Sequence, residues 1–441
     1  MFRPAFRPLR GLPVGLVGLT PSERAYSRGV ATGARVIDGG AGGGAGIDIE
    51  SARRRVVEAV DARAEMLIDV SHRIHERPEL LFEERFASDL LASVLEAEGF
   101  AVERGALGLE TAFVGRPPGG DSGDGPRVAV LCEYDALPGI GHGCGHNIIA
   151  AAGLGAALAA ATVVAGSGGR LDVIGTPAEE GGGGKVLLGD RGAFDGVDAA
   201  LAVHPAGADL IRPDVIAIAT YEVEYFGRAA HAAAAPDRGR NALDAAVLGY
   251  NAVAALRQHI ASTDRIHGVF LKAGDKPNIV PDHTVAQWYV RSATAASLQA
   301  LKARVVACLE AGAAAAGCTM EVRQPWPEYT DLRSNGPLGE LYRANSARLG
   351  RPVADPEPAT RLMVSTDMGN VSYRVPTIHP IVKVSPSDVG LHSAEFAVWA
   401  ASPDGDRGVL DGAKAMALTV VDLWLRPDAL EEVRAAFAPV P

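Results

Sequence analysis

The segment Val128–Asn147 constrains the fold of this chain more than any other part of the sequence. It opens with an apolar run that ends at Leu131, passes two acids and a turn rich in proline and glycine, and reaches Cys144, Gly145 and His146. An alanine-rich run with helical character follows. Open α/β sheets place their chemistry on the loops that follow the carboxyl ends of strands. The segment therefore predicts a buried strand of such a sheet, with half of a metal site on the loop after it.

The order of strands and helices predicts two domains. Strands and helices alternate over residues 47–211 and again over 327–441, which predicts an α/β catalytic domain in two parts, with a mostly parallel sheet flanked by helices. Residues 212–326 follow the order β-α-β-β-α-β instead. That order predicts an inserted ferredoxin-like α+β domain, which would form a separate module beside the larger sheet.

Residues 1–46 are left out of the predicted fold. Three arginines and no acid before Glu23 are typical of an organelle transit peptide, whereas the Gly/Ala-rich run 39–46 is equally typical of a disordered leader or linker. Both interpretations stay open.

Composition limits the partners and the compartment. The formal net charge of -11 argues against nucleic acid and anionic membranes as partners. The chain has only four cysteines, which is no disulfide framework and favours a reducing compartment such as the cytoplasm. We find no uninterrupted apolar run of about 18 residues, so we expect no membrane span.

Ligands of the metal-binding type follow three separate strands. They are Cys144 with His146, the pair Glu179 and Glu180, and His204; His392 lies on a further loop. Imidazole, thiolate and carboxylate together suit zinc or a similar transition metal, and more than four ligands suggest two ions.

Two of these groups allow a second interpretation. Of Glu179 and Glu180, one can bind a metal while the other takes a proton from water, but an isolated pair of acids is more often a solvated helix cap. Cys144 next to His146 is also compatible with a thiol nucleophile and its base.

The motifs, taken in order and spacing, resemble those of the metal-dependent aminoacylase/carboxypeptidase (zinc peptidase) family of amidohydrolases. The resemblance covers residues 50–430 and is strongest for the branch with a Cys-Gly-His site, which contains aminobenzoyl-glutamate hydrolases and Xaa-Arg or β-alanyl-lysine dipeptidases. The motifs that carry it are Val130–Asn147, Gly175–Glu180, Gly227–His231, Pro277–Pro281, Ser365–Gly369 and Gly390–His392.

The resemblance implies roles for individual residues. It implies Cys144, His146, Glu180, His204 and His392 as metal ligands, Glu179 as the general base, His231 as a lid residue that reaches the neighbouring subunit's oxyanion, Asn278 and Arg291 as contacts to the substrate carboxylate, and Asp135 as the acid that orients a ligand imidazole. The chain departs from the branch at Asn147, where many relatives carry Asp, and at Arg228, where Lys is frequent.

The expected function is therefore hydrolysis of an amide bond in a small substrate that ends in a carboxylate, such as a dipeptide or an N-acyl amino acid. The resemblance implies two divalent ions, with zinc expected and manganese or cobalt as alternatives, and a homodimer formed through the lid domain. Two other interpretations are a non-catalytic or auxiliary subunit of an aminobenzoyl-glutamate-type hydrolase and a cysteine-nucleophile hydrolase.

Overall fold

A computed structural model describes residues 47–120, 124–356 and 363–437 of the chain. These residues belong to the compact unit Gly46–Pro441. The predicted leader or linker, 1–46, lies outside the described residues, and the predicted domain limits at 211 and 326 stay predictions.

Helices and strands alternate through most of this unit. The helices are α1 Ile49–Asp61, α2 Ala64–Glu76, α3 Arg85–Ala97, α4 His146–Ser167, α5 Gly184–Asp190, α6 Ala242–Leu256, α7 Ala295–Ala316, α8 Gly336–Arg348, α9 Met368–Ser372, α10 Ala394–Trp399, α11 Pro403–Leu425 and α12 Pro427–Ala435. The strands are β1 Ala101–Arg104, β2 Phe113–Arg116, β3 Arg127–Glu133, β4 Arg170–Thr176, β5 Ala199–Leu201, β6 His204–Ala206, β7 Asp214–Val215, β8 Ala217–Phe226, β9 Arg265–Ala273, β10 His283–Ser292, β11 Thr319–Arg323, β12 Met363–Val364, β13 Thr377–Ile378 and β14 Ile381–Lys383.

The larger sheet has six strands in the order β1-β2-β4-β3-β5-β13. Strand β3 pairs in parallel with β4 and β5, and β5 with β13, whereas β1 and β2 form an antiparallel edge. Alternate residues of β3 enter opposite cores: Val130 packs with Leu154, and Leu131 packs in a second cluster with Ile174 and Leu188. A strand buried on both faces explains the unbroken apolar run in the sequence, and the predicted α/β fold is confirmed.

Helix α4 is the central helix of the larger core. By length and composition alone it is apolar enough to cross a membrane, although glycines interrupt the apolar run, and 83% of the most apolar window is buried in the fold. It packs mainly against α11 and α1. Helices that are apolar on all sides are typical of protein cores as well as of membranes.

The smaller sheet has the order β11-β8-β10-β9, with all neighbours antiparallel. Burial alternates along β8, and the inward residues pack with Trp288 and with Leu309 of α7. The predicted order β-α-β-β-α-β is thus the observed one. Two short pairings lie beside this module: β7 pairs with β12 in a separate two-stranded sheet, and Ile218 pairs with Tyr329.

The spacing of apolar residues predicts one helical run from Ile49 to Arg77 and a strand over Ile378–Val384, and both are divided in the structure. The helical run forms two helices, α1 and α2. The strand is interrupted because Pro380 has no N–H for a sheet hydrogen bond, and the chain continues in β14. Strand β14 pairs in parallel with β6, so His204 begins a short strand of its own immediately after β5.

Candidate metal centre and active site

The loops that follow three neighbouring parallel strands bring the sequence-predicted ligands together. Donor atoms of Cys144, His146 and His204 lie within 4.8 Å of one another, and those of Cys144, Glu180 and His392 form a second group of the same size. The thiol of Cys144 therefore belongs to both groups. Two neighbouring groups of nitrogen, sulfur and oxygen donors could hold two cations.

The conformation at Gly145 sets the positions of Cys144 and His146. Gly145 has φ +77°, and a Cβ built on it would lie 2.6 Å from Cγ of Pro205. Only glycine combines this left-handed backbone with the close approach. His146 then begins α4, so its ring is fixed by the buried first turn of a long helix.

Two hydrogen bonds define which imidazole nitrogens face the site. Nδ1 of His146 lies 3.0 Å from Oδ1 of Asp135, and Nδ1 of His204 lies 2.8 Å from the carbonyl oxygen of Pro205. Both partners only accept, so each Nδ1 carries a proton, and Nε2 is the nitrogen that the neutral ring would offer to a cation. The buried Nε2 of His146 has no hydrogen-bond partner among the described residues, which fits a cation at this position.

Glu179 and Glu180 both turn into the site. Oε2 of Glu179 and Oε1 of Glu180 each lie 3.8 Å from Nε2 of His146. The preceding residue, Ala178, has φ +57°, and this left-handed corner takes the chain out of the strand geometry that would point adjacent side chains to opposite faces. The interpretation of this pair as a solvated helix cap is therefore wrong.

The backbone around the two acids is held from both sides. The hydroxyl of Tyr329 donates to the carbonyl oxygen of Glu179 at 2.7 Å, and the amide of Glu180 donates to Oδ2 of Asp135 at 3.0 Å. Asp135 thus fixes the imidazole of His146 and the backbone of Glu180 at once. Burial and the neighbouring charge of Glu180 raise the pKa of Glu179 well above its ordinary value.

Cys144 and His204 have the electrostatics of metal ligands more than of a nucleophile and its base. Burial, followed by the charge of Glu180, raises the pKa of the Cys144 thiol well above its ordinary value. Burial lowers the pKa of His204 to about 3, so the ring is neutral and ready to donate its lone pair. A reactive thiol needs an environment that favours the thiolate, and although His146 lowers the pKa of Cys144, burial and Glu180 outweigh this effect.

His392 closes the group at the solvent side. Its Nε2 lies 3.5 Å from Oε2 of Glu180, its side chain is about half exposed, and its amide donates to the carbonyl oxygen of Gly143. The residue has φ +61°, a conformation that costs free energy for any residue but glycine and that clusters at functional sites.

The predicted lid residues divide into two places. His231 and Asn278 are exposed and lie on adjacent loops, since the amide of Ala232 donates to the carbonyl oxygen of Asn278 and His231 pairs with Ile279. In the described part of the chain, no hydrogen bond or ion pair joins either residue to the metal-type ligands. The structure therefore does not bring these two into the site of their own subunit.

Arg291 faces the larger domain. Its Nη1 donates to Oγ of Ser365 at 3.0 Å, and within the described ranges no carboxylate lies at ion-pair distance from it. Burial lowers the pKa of Arg291 below its ordinary value. A partly buried guanidinium that retains free donors is suited to bind a carboxylate from outside the protein.

A buried charged network beside the ligands was missed by the sequence analysis. Nζ of Lys185 lies 2.6 Å from Oδ1 of Asp367 and 3.0 Å from Oε1 of Glu133, and the other Glu133 oxygen lies 3.8 Å from Nε2 of His146. All four side chains are fully buried. Burial alone raises the pKa of Glu133, but Lys185 and the nearby imidazoles bring it to about 2. Glu133, an acid within an apolar run, was the available signal.

Asn147, the departure noted in the sequence, is buried and has a packing role. Its side-chain amide donates to Oγ of Ser71 and to the carbonyl oxygen of Ala400, both at 2.9 Å. These bonds connect α4 to α2 and to the C-terminal end of α10 through Nδ2 of Asn147, whereas its Oδ1 is buried without a hydrogen-bond partner among the described residues.

Comparisons with known proteins agree with this site. The sequence profile of Peptidase family M20/M25/M40 matches residues 129–402. The chain is 38% identical to the Xaa-Arg dipeptidase of Mus musculus over 401 residues, which cover 88% of this chain and 93% of the relative. It is 36% identical to the Xaa-Arg dipeptidase of Homo sapiens over 420 residues, which cover 92% of this chain and 96% of the relative.

Solved structures share the fold at lower identity. An aminobenzoyl-glutamate utilization protein from Klebsiella pneumoniae superimposes with a TM-score of 0.68 at 21% identity, covering 84% of this chain and 98% of that one. A Bacillus subtilis protein described as a dinuclear metal binding peptidase from M20 family gives a TM-score of 0.60 at 20% identity, covering 82% and 99%. The profile match and the long alignments show that the chain belongs to peptidase family M20/M25/M40 and is a metal-dependent hydrolase of amide bonds.

Proposed function

We propose that this chain hydrolyses the amide bond of a dipeptide or N-acyl amino acid with a free carboxylate, using two divalent ions. Zinc suits the mixed sulfur, nitrogen and oxygen donors, and manganese or cobalt are the alternatives. The observation that carries the proposal is the convergence of Cys144, His146, Glu180, His204 and His392 in two donor groups that share Cys144.

The five ligands would hold the ions, and Glu179 would move the proton. When bound, such ions polarise a carbonyl group and lower the pKa of water. Glu179 is close to the ligands and has a raised pKa, so it is placed to take the proton from the attacking water and return it to the leaving nitrogen. Asp135 holds His146 in the tautomer that binds a cation.

Arg291 would bind the carboxylate end of the substrate, with Asn278 as a further contact. Support comes from the guanidinium of Arg291 beside Ser365, which has no carboxylate partner among the described residues. The relatives include Xaa-Arg dipeptidases of mouse and human, so we propose dipeptides with a C-terminal arginine or lysine as the first substrates to assay and aminobenzoyl-glutamate as the second.

We also propose a homodimer formed through the smaller sheet. Its edge strand β9 carries exposed apolar side chains, with Val269 58% and Leu271 56% exposed beside Phe270. Unpaired, apolar edge strands favour pairing with another chain. In such a dimer, exposed His231 would be available to the partner's site, where an N–H donor stabilises developing negative charge.

Sedimentation velocity tests the dimer. Leu271→Lys should shift the protein from dimer to monomer, whereas Lys272→Arg on the same strand should leave the dimer intact. A monomeric wild-type protein at micromolar concentration would refute this part of the proposal.

The four cysteines are free thiols, which supports the proposal of a cytoplasmic, reducing location.

The decisive experiment replaces Glu179 by Gln in the purified protein. Turnover should fall by about 10²–10⁴-fold, while metal content, measured by elemental mass spectrometry, stays at the wild-type value. Full activity of Glu179→Gln would refute the assignment. Wild-type protein that binds metal but hydrolyses none of the panel would support an auxiliary subunit instead, and activity that survives a chelator would support the cysteine nucleophile.

A further inference from the structure

Two residues with left-handed backbone conformation donate hydrogen bonds to one carboxylate, that of Glu84, which lies outside the sequence motifs. Phe82 has φ +59° and Ala178 has φ +57°, and neither is glycine. The amide of Phe82 donates to Oε1 of Glu84 at 3.0 Å, and the amide of Ala178 donates to the same oxygen at 2.9 Å. Left-handed backbone costs about 1–2 kcal/mol for such residues, so it persists only where the surroundings hold it.

Glu84 is well placed to hold both corners. Its side chain is fully buried, and its second oxygen accepts a hydrogen bond from Oγ1 of Thr111 at 2.9 Å. Burial and the charge of Asp135 raise the pKa of Glu84 to about 7. Three donors on one buried carboxyl group fix its position and orientation.

Ala178 is the pivot of the turn that carries Glu179 and Glu180. Its amide is held by Glu84, and its carbonyl oxygen accepts from the amides of Gly182 at 3.1 Å and Gly183 at 2.8 Å. On its other side the turn is closely packed at Gly182. A Cβ on Gly182 would lie 2.5 Å from the ring of Phe82 and 2.6 Å from Cβ of Ala178.

We propose that Glu84 is a positioning residue, whose carboxyl group clamps Phe82 and Ala178 and so directs Glu179 and Glu180 into the active site. This inference rests on the proposed function, since it concerns the aim of the proposed base and ligand. Glu84 itself touches none of the metal-type ligands through a side-chain contact. Its effect passes through the backbone of the turn.

The test compares two substitutions, one that changes the charge of residue 84 and one that changes the length of its side chain. Glu84→Gln keeps an acceptor oxygen at the same distance and can donate to Oγ1 of Thr111, so kcat should stay within about threefold of wild type. Glu84→Asp keeps the charge but withdraws the acceptor by one methylene group. A misplacement of this size costs about 10²-fold, so kcat should fall by about 10–100-fold, with KM nearly unchanged and metal content reduced. Glu83→Asp, at the exposed neighbouring residue, is the matched control.

A second substitution distinguishes misplacement of Glu179 and Glu180 from a loss of overall stability. Glycine adopts the left-handed corner without strain, so Ala178→Gly combined with Glu84→Asp should recover part of the lost kcat and metal content. Circular dichroism and thermal unfolding of each variant establish the folded fraction on which kcat is calculated. Loss of kcat through a folding defect elsewhere would not be recovered by glycine at this position.

The proposal is overturned if Glu84→Asp keeps wild-type kcat and metal content, or if Glu84→Gln is as impaired as Glu84→Asp, because then the charge and not the reach matters. A failure of the proposed function is distinguishable. It would appear as an active Glu179→Gln variant or an inactive wild type, while the metal content of the Glu84 variants would still report whether Glu180 is correctly aimed.

Discussion

Replacement of Lys185 by Met should destabilise this protein more than any substitution of an exposed lysine. Lys185 is fully buried, which is rare for lysine unless it is paired. Its Nζ is bonded to Asp367 at 2.6 Å and lies 3.0 Å from Glu133, and its backbone amide donates to the second oxygen of Asp367 at 2.9 Å. Met fills similar volume and removes only the charge, which leaves two acids buried without their cation.

The expected cost is about 3–5 kcal/mol of unfolding free energy, the usual effect of removing one partner of a buried ion pair. The cost should depend on pH with a definite sign. Without Lys185, burial raises the pKa values of both acids in the folded state above those of the unfolded chain. The folded variant then binds more protons, so its stability relative to wild type falls as pH rises above the unfolded carboxyl pKa values.

Urea unfolding followed by circular dichroism at pH 5 and pH 8 measures this effect. Lys383→Met, at an exposed side chain of β14, is the control and should change stability little. Adding Asp367→Asn to Lys185→Met should recover part of the loss, because it removes one of the two unpaired charges. A Lys185→Met variant as stable as wild type at pH 8 would refute the reasoning that the ammonium group compensates these acids.

Three further predictions concern the site. Arg291→Met should raise KM for carboxylate-terminated substrates by about 10–100-fold, the value of one or two charged hydrogen bonds, with a smaller change in kcat; esters or amides of the same substrates should show no such difference between variant and wild type. Asp135→Asn should weaken metal affinity by about 10–100-fold, measured by competition with a chromogenic chelator. The pKa of Glu84 is raised to about 7 in the fold, so this group should lower the free energy of unfolding of the wild type as pH rises from about 4.5 through 7. The variant Glu84→Gln should lack this dependence in urea titrations. By pH 8 its free energy of unfolding should exceed that of the wild type by up to about 3 kcal/mol.

Much of the candidate site follows from the sequence, because its ligands come directly after apolar strands. Cys144, Glu180 and His204 each follow a strand of one parallel sheet, and parallel strands bring their carboxyl ends to one edge. The inward direction of both Glu179 and Glu180 was not predictable in the same way. It depends on the left-handed corner at Ala178, and that corner is held by Glu84, which lies on a different segment.

Other features depend on tertiary contacts that no local pattern records. Lys185 follows a glycine-rich turn and has the appearance of an ordinary helix residue, yet it pairs with an acid 182 positions away. Pro380 in the sequence indicates that the strand is interrupted. The pairing of the following strand, β14, with His204 could not be predicted, because it depends on which strand lies beside it in the fold. Helix α4 was not predicted as a membrane span because three glycines interrupt its apolar run, although its mean hydropathy is high.

Residues 363–367 connect Arg291, the proposed carboxylate contact, with the buried acids beside His146. Ser365 accepts from Arg291 of the smaller module and donates to the carbonyl oxygen of Ile216 at 2.8 Å, where the chain enters that module. Two residues later, Asp367 binds both the backbone and the side chain of Lys185, next to Glu133. The proposed carboxylate contact and the acids beside His146 are therefore attached to one short segment. A rotation of the smaller module that moves Arg291 must either carry Ser365 with it or break that bond. Under the proposed function, the fold would thus set the distance between the carboxylate and the scissile bond, and this would select the amide bond one residue away from the free carboxylate.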